Sequence, residues 1–338
     1  MTQADDRARV MGLIMSAWPT QVIHVAVKLR LPDLLADGPR PASELAATTG
    51  SHPRALHRLL RAMAALGLCR QTAADLFELT PAGALLGADA EGGVRGVALH
   101  WGERLWGALS QLDQSVQTGR PWRHSGADGF EQMASDPGQM AMFHQSMTDQ
   151  TGPVARAILE VCDFARFGTV MDVGGSYGAL MAAVLRATPA LTGQVFDLPS
   201  LKDASSAYLE RAGVAGRASF VGGSFFEAVP EGADAYMLKM IIHDWDDAEA
   251  LAILQNCRKA AGSEGRVLVM ERIAPELAGE DPADLVTLRG DMLMLTAAGG
   301  VERTLSEYQA LYARSGLRLE TVTRTASGFS VMETSAGD

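Results

Sequence analysis

Two groups of residues in this 338-residue chain have the types and spacing for chemistry. The first is Asp172-Val173-Gly174-Gly175-Ser176-Tyr177-Gly178, after the apolar pair Val170-Met171. It reads as a strand, a glycine turn and a helix from Ala179 to Ala187 that stops before Pro189. Glycines at such a turn let a ligand approach the backbone at the carboxyl end of a strand. About twenty residues on, Val195-Phe196-Asp197 is an apolar strand ending in an acid, as ribose binding requires. The second group is His243-Asp244-Trp245-Asp246-Asp247, with Glu271 and Glu302 further on. Histidine has its unperturbed pKa near neutrality, so His243 has the chemistry of a general base. Two acids beside it would fix its tautomer and stabilise the imidazolium that forms.

The glycine spacing bears on which nucleoside fits. A dinucleotide fold uses G-x-G-x-x-G and lays a pyrophosphate on the helix N-terminus. Here Asp172 holds the place of the first glycine, and a carboxylate repels pyrophosphate. It attracts a ligand carrying an ammonium and a sulfonium. S-adenosylmethionine has both, and a ribose diol for Asp197. A competing reading of the second group is a divalent ion on Asp244, Asp246 and Asp247, but adjacent acids at a helix start rarely converge on one ion. Helix capping by Asp244 or Asp246 is the simpler role for them, and no metal site is expected.

Alternating elements must position these residues. Before Gly152-Pro153 the pattern is mostly helical, with apolar periods near 3.6. Pro53 to Leu66 is an amphipathic helix, and Cys69-Arg70 with Phe77-Glu78-Leu79 reads as a small hairpin, so helix, turn, helix, hairpin makes a winged-helix pattern. Trp101, Leu105, Trp106, Leu109 and Leu112 form a helical stripe. After Gly152-Pro153 we read strands near 169–174, 193–197, 218–222, 235–242, 266–271, 317–324 and 329–334, with helices near 179–187, 201–212, 246–261, 283–296 and 305–315. The last two strands are joined by only Ala326-Ser327-Gly328 and must be antiparallel. His243 and Glu271 then follow or end strands, on the ligand edge of a parallel sheet. The fold class is α/β: a class I methyltransferase, Rossmann-like sheet over 151–338, after a mostly helical, winged-helix-like domain over 1–150.

Composition narrows the function classes. Apolar content of 47% and charge of 20% belong to a globular protein. A net charge of −11 argues against nucleic acid or an anionic membrane as partner. That weighs against DNA binding by Arg54, Arg58, Arg61 and Arg70 on the winged helix, although a DNA-binding regulator stays an alternative. No apolar run is expected to reach the ~18 residues of a membrane span. The N-terminus lacks the order of a signal peptide. Three scattered cysteines, Cys69, Cys162 and Cys257, suggest small core residues in a reducing cytoplasm.

The chain resembles the plant-type small-molecule O-methyltransferases and their bacterial relatives in antibiotic and pigment pathways. Five segments carry the resemblance: Asp172 to Gly178, Phe196-Asp-Leu-Pro199, Val221-Gly-Gly-Ser-Phe-Phe226, Leu238-Lys239 through His243-Asp-Trp245, and Gly299-Gly-Val-Glu-Arg-Thr304. It covers nearly the whole chain. The resemblance implies a homodimer through the N-terminal helices, with S-adenosylmethionine as cofactor, S-adenosylhomocysteine as product and a small aromatic molecule as substrate. It implies Asp172 and Gly174 at the methionine end, Asp197 on the ribose, and Leu198, Ser224, Phe225, Lys239 and Trp245 around the nucleoside. His243 would deprotonate the acceptor, flanked by Glu271 and Glu302. Trp101, Phe143, Met147, Met240 and Met294 would line an apolar, adaptable substrate pocket. Two positions depart from the family pattern. Ser176 replaces a glycine, which a negative φ would accommodate. Ser224 replaces an aspartate near adenine and keeps a hydrogen bond without the charge. Some relatives do hydroxylation, decarboxylation or a pericyclic step instead of methylation; retention of His243, Glu271 and Glu302 argues against that alternative.

Overall fold

The computed structural model describes residues 3–122 and 136–337. The chain forms two compact units, Met1–Gly107 with Ala141–Asp149, and Ala108–Met140 with Gln150–Asp338. The texture change at Gly152-Pro153 is not a break in the backbone. One helix, Pro137–Leu159, runs through it with Pro153 inside. A proline there removes a helical donor, but the following turn buries Val154, Ala155 and Ile158 in the core, and that burial outweighs the lost bond.

The first unit has the winged-helix order. Helices Ala42–Thr49 and Pro53–Ala65 lie between β1 (Arg40–Pro41) and the hairpin of β2 (Cys69–Ala73) and β3 (Leu76–Leu79), and the three strands form one sheet in the order β1-β3-β2. Helix Pro53–Ala65 buries Leu56, Leu60 and Met63, the i, i+4, i+7 stripe of an amphipathic helix. These meet Ala26, Leu31, Leu45 and Phe77 in one core. The expected stripe from Trp101 is not one helix. It is divided among a π-helical turn, Trp101–Leu105, and helices Trp106–Leu109 and Leu112–Thr118; the unit boundary cuts Trp106–Leu109, and Leu112–Thr118 lies in the second unit.

The membrane expectation needs correction. The helical segment Ala4–Lys28 is long and apolar enough, by length and composition, to cross a membrane, and only 17% of that window is buried. A turn after Met15 and Pro19 near the next helix start interrupt it. Val10, Leu13, Ile14, Met15 and Trp18 are exposed on it.

The second unit is a seven-stranded sheet: β4 (Thr169–Val173), β5 (Thr192–Asp197), β6 (Ala218–Gly222), β7 (Ala235–Lys239), β8 (Arg266–Glu271), β9 (Leu317–Arg324) and β10 (Ser330–Ala336). The order is β6-β5-β4-β7-β8-β10-β9. β4 through β8 pair in parallel, and β10 pairs antiparallel with both β8 and β9. This is the class I methyltransferase architecture. β10 inserts between β8 and β9 rather than simply extending the edge as a hairpin. The central strands are covered on both faces, so β7 is a continuous buried apolar run up to Lys239. Strand order reverses between β4 and β7, and that switch point opens a crevice at the carboxyl ends. Cys69, Cys162 and Cys257 are buried free thiols.

Candidate active site

The carboxyl ends of β4, β5, β7 and β8 gather most of the residues singled out from the sequence. At the end of β4, Asp172 is buried, and its Oδ2 has no hydrogen-bond partner. Burial is the main cause that pushes its carboxyl up to about 7; the Lys239 ammonium opposes this and Asp197 adds to it. Gly174 follows at φ +72°, and a Cβ there would overlap the Ile241 side chain. Only glycine allows the chain to turn so close to the next strand.

Ser176 departs from expectation. Its φ is +54°, not negative. The left-handed turn aims its N–H at Asp197 Oδ2, 2.8 Å away. Asp197 Oδ1 accepts from Leu198 N at 2.7 Å. Burial raises the Asp197 carboxyl, and these two amides pull it back. Each oxygen retains acceptor capacity for a diol.

After β6, Ser224 and Phe225 are half-buried. Asn256 Nδ2 donates to the Phe225 and Phe226 carbonyls at 2.8 and 3.0 Å and fixes that loop. Phe225, Phe226 and Trp245 pack edge to face, with centroids 4.7–5.7 Å apart. Trp245 is a core residue beneath the phenylalanines. Lys239 ends β7; burial lowers its pKa, and the Asp172, Glu271 and Asp244 carboxylates counter that.

β7 stops three residues earlier than its apolar run suggested. Met240 takes φ +56°, and Ile242–Asp244 forms a single 3₁₀ turn. This turn carries His243 into a ring of acids. His243 Nδ1 lies 2.9 Å from Glu302 Oε1 and 3.7 Å from Glu271 Oε2, and Nε2 lies 3.5 Å from Asp244 Oδ1. An ionised carboxylate only accepts, so Nδ1 carries the proton and donates to Glu302. Burial alone would lower the imidazole pKa, but Glu271, Glu302 and Asp244 hold it up to about 10. Glu271 is fully buried, and its Oε1 accepts from Ile241 N and Ile242 N, both at 2.9 Å. Burial pushes its carboxyl up to about 7 and that of Asp244 up to about 6.

The three neighbouring aspartates do not share a site. Asp246 caps helix Asp247–Ala261 in a capping box with Glu249, Asp247 pairs with Arg303, and Asp244 faces His243. The spacing that does suit a metal is His243, Glu271 and Glu302, whose ligand atoms lie within 4.8 Å of one another. There, Glu302 Oε1 accepts a hydrogen bond from the imidazole and Glu271 Oε1 is occupied by backbone amides. Glu271 Oε2 and Glu302 Oε2 are buried without a hydrogen-bond partner.

The expected pocket residues are distributed over both units. Trp101, Phe143 and Met147 belong to the first, Met240 and Met294 to the second, and all five are half-buried. Phe143 meets His100 edge to face. Trp101 and Met294 each open a π-helical turn, Trp101–Leu105 and Met294–Ala298. Such turns recur at functional sites.

Known families share this architecture and these motifs. An O-methyltransferase domain family matches residues 108–318, and an O-methyltransferase dimerisation domain matches residues 11–89. The chain belongs to the O-methyltransferase family. As a family member it is similar to phenazine O-methyltransferase PhzM of Lysobacter antibioticus, 39% identical over 96% of this chain and 94% of that one. The crystallised O-methyltransferase NcsB1 of neocarzinostatin biosynthesis, in complex with S-adenosylmethionine and 2-hydroxy-5-methyl naphthoic acid, superposes with a TM-score of 0.77 at 34% identity, covering 94% of this chain and 96% of that one. The chain is also similar to an N-methylating relative. The N,N-8-amino-8-demethyl-D-riboflavin dimethyltransferase RosA of Streptomyces davawensis aligns over 100% of both chains, with a TM-score of 0.84 and 32% identity. The family is one of secondary-metabolite tailoring enzymes.

Sequence reasoning missed Asn256, Arg303 and Asp291, which accepts from Glu302 N at 3.0 Å. Arg303 lay within a quoted motif, and its place beside Glu302 was the available signal. Asn256 sits on a helix face with no local signature.

Proposed function

We propose that the chain methylates a phenolic hydroxyl of an aromatic or polyketide-type secondary metabolite, with His243 as general base, as a cytoplasmic homodimer. Family membership makes S-adenosylmethionine the methyl donor and S-adenosylhomocysteine the product. The observation that carries the reading is His243 donating to Glu302 at 2.9 Å inside a ring of carboxylates, at the end of the same sheet that carries the acid-lined glycine turn.

The residues at that turn fit the cofactor. A buried carboxylate oxygen without a partner, Asp172 Oδ2, suits the ligand's ammonium, and the bare backbone at Gly174 admits it. Asp197 would accept from the ribose hydroxyls. Leu198 and Phe225 offer apolar surface to adenine, Ser224 and Lys239 offer polar atoms, and Trp245 supports Phe225 from below. When bound, S-adenosylmethionine supplies an electrophilic methyl carbon on a sulfonium.

His243 removes the acceptor proton through Nε2 while Nδ1 stays on Glu302. The carboxylates set the energetics. A phenol has a pKa near ~10, so transfer to an ordinary imidazole at 6.5 would be uphill by about 3–4 units, about 5 kcal/mol. At about 10 the imidazole matches the phenol, so transfer to the neutral ring is nearly level, while at neutral pH most rings already carry the second proton. Such a base suits an O–H acceptor better than an arylamine, which is already neutral. Met240 and Met294, both in the second unit, offer apolar contact for the ring.

The dimer reading rests on the exposed face of Val10, Leu13, Ile14, Met15 and Trp18, within the matched dimerisation segment. A second copy covers it.

The test is incubation with methyl-labelled S-adenosylmethionine, a panel of phenols and aminoarenes, and EDTA. Labelled methyl ethers released with equimolar S-adenosylhomocysteine are expected. Label appearing only on nitrogen, or a requirement for metal, would overturn the reading. Product lacking label would point to the non-methylating chemistry of some relatives.

A further inference from the structure

We infer that Arg303 is a positioning residue that holds the His243 turn in register with Glu302, an inference that rests on His243 being the base. Arg303 is 1% exposed, a cation buried where charge is costly without several partners. Its guanidinium spends its donors on the two ends of one turn. Nη1 donates to Ile242 O at 3.0 Å, and Nη2 donates to Trp245 O at 2.9 Å. Nε and Nη2 both donate to Asp247 Oδ1, at 3.1 and 2.9 Å. Ile242 and Trp245 bracket His243, so the planar fork spans the segment that carries the imidazole.

The same loop grips His243 elsewhere. Val301 N donates to His243 O at 2.9 Å. A Cβ on Gly300 would overlap that carbonyl, so only glycine lets the loop lie this close. Between Val301 and Arg303, Glu302 reaches the imidazole. Behind the loop, Ala274 N donates to Arg303 O at 2.9 Å, which ties it to the chain leaving β8. The His243 backbone is thus held through its amides by Glu271 and through neighbouring carbonyls by Arg303 and Val301. Small errors in base placement cost large factors in rate. Lysine has a point charge and no planar fork, so it cannot span both carbonyls and Asp247.

The experiment is a histidine ¹⁵N NMR titration of the full chain, with the His243 signal assigned by its loss in H243A. The groups facing His243 are Glu302 from the loop, Glu271 from β8 and Asp244 from its own turn. Lys239 and the Tyr308 hydroxyl lie near those carboxylates. Arg303→Lys leaves every one of these charges, and its own, in place. If Arg303 positions the turn, the His243 pKa in R303K falls by about a unit or more towards its ordinary value, because the Glu302 contact loosens. On a methyl acceptor, kcat then falls about 10–100-fold with S-adenosylhomocysteine affinity unchanged by calorimetry. An unchanged His243 titration in folded R303K overturns the inference. If R303K does not fold, Asp247→Asn is titrated instead, since Asp247 is exposed and anchors the guanidinium; an unchanged titration there also overturns it. H243A separates the two readings: full turnover in H243A overturns the base assignment, whatever Arg303 does to the titration.

Discussion

Ser176, in the left-handed region at φ +54°, donates its N–H to Asp197 Oδ2 at 2.8 Å. A non-glycine residue there costs roughly 1–2 kcal/mol. A hydrogen bond to a charged acceptor returns about 1.5–3 kcal/mol, so the contact can hold the strain. The bond uses only the backbone, so glycine would keep it without the strain. Relief of the backbone strain in Ser176→Gly is alone worth about 0.5–1 kcal/mol after the extra unfolded-state entropy of glycine. That is a Tm increase of about 1–3 °C. A lower Tm in a thermal melt would mean that the serine side chain contributes something the backbone contact does not.

Asp172 carries the opposite trade. Its carboxyl is raised from 3.8 to about 7, chiefly by burial. A group with a raised folded pKa contributes its full stability below the unfolded value and loses it as pH rises through the folded one. Ligand-free protein should thus lose stability between about pH 4 and pH 7 on this account. Asp172→Asn stays neutral throughout. Its Tm should match wild type in acid and exceed it above about pH 7, while its S-adenosylmethionine affinity falls. Identical melting curves at both pH values would sink the argument.

For His243 the sign also runs with a raised value, from 6.5 to about 10. Its stabilising charge is complete below about pH 6.5 and is lost as pH approaches about 10. Catalysis needs the neutral ring, so kcat should climb with pH across the neutral range. Glu302→Gln removes one stabilising carboxylate. The acid limb of its kcat profile should move down by about 1 unit or more, with a lower plateau. His243→Ala should cost about 10²–10⁴ in kcat and leave cofactor binding almost intact. An acid limb that stays in place in Glu302→Gln would detach the limb from His243.

Leu13 and Ile14 are 62% and 67% exposed. Burying one such side chain contributes about 1.5–3 kcal/mol, so placing a charge at each should abolish a dimer built on this face. Leu13→Glu with Ile14→Glu should sediment as a monomer where wild type sediments as a dimer. A variant that remains dimeric would move the interface elsewhere.

Local chemistry was legible in the sequence. Asp197 and Glu271 end apolar runs and Asp172 lies one residue before the end of another, and a parallel strand delivers its carboxyl end to the ligand edge, so short-range pattern sufficed to group them. The hairpin and amphipathic helix of the first unit followed from period and turn residues alone. Other features depend on contacts between segments far apart in the chain. Whether Ser176 turned left or right depended on Asp197, 21 positions on. β7 ended at Lys239 because Met240 turns out of the sheet, with Glu271 accepting the next two amides. Pro153 stayed inside a helix because the turn after it is buried. Nothing local marks Arg303 as buried; the fold brings Ile242, Trp245 and Asp247 around it. The sequence by itself determined which side chains could do the chemistry, since residue type and strand period are local properties. The tertiary structure alone decided how their backbones are held, because those hydrogen bonds join segments that meet only when the sheet is built.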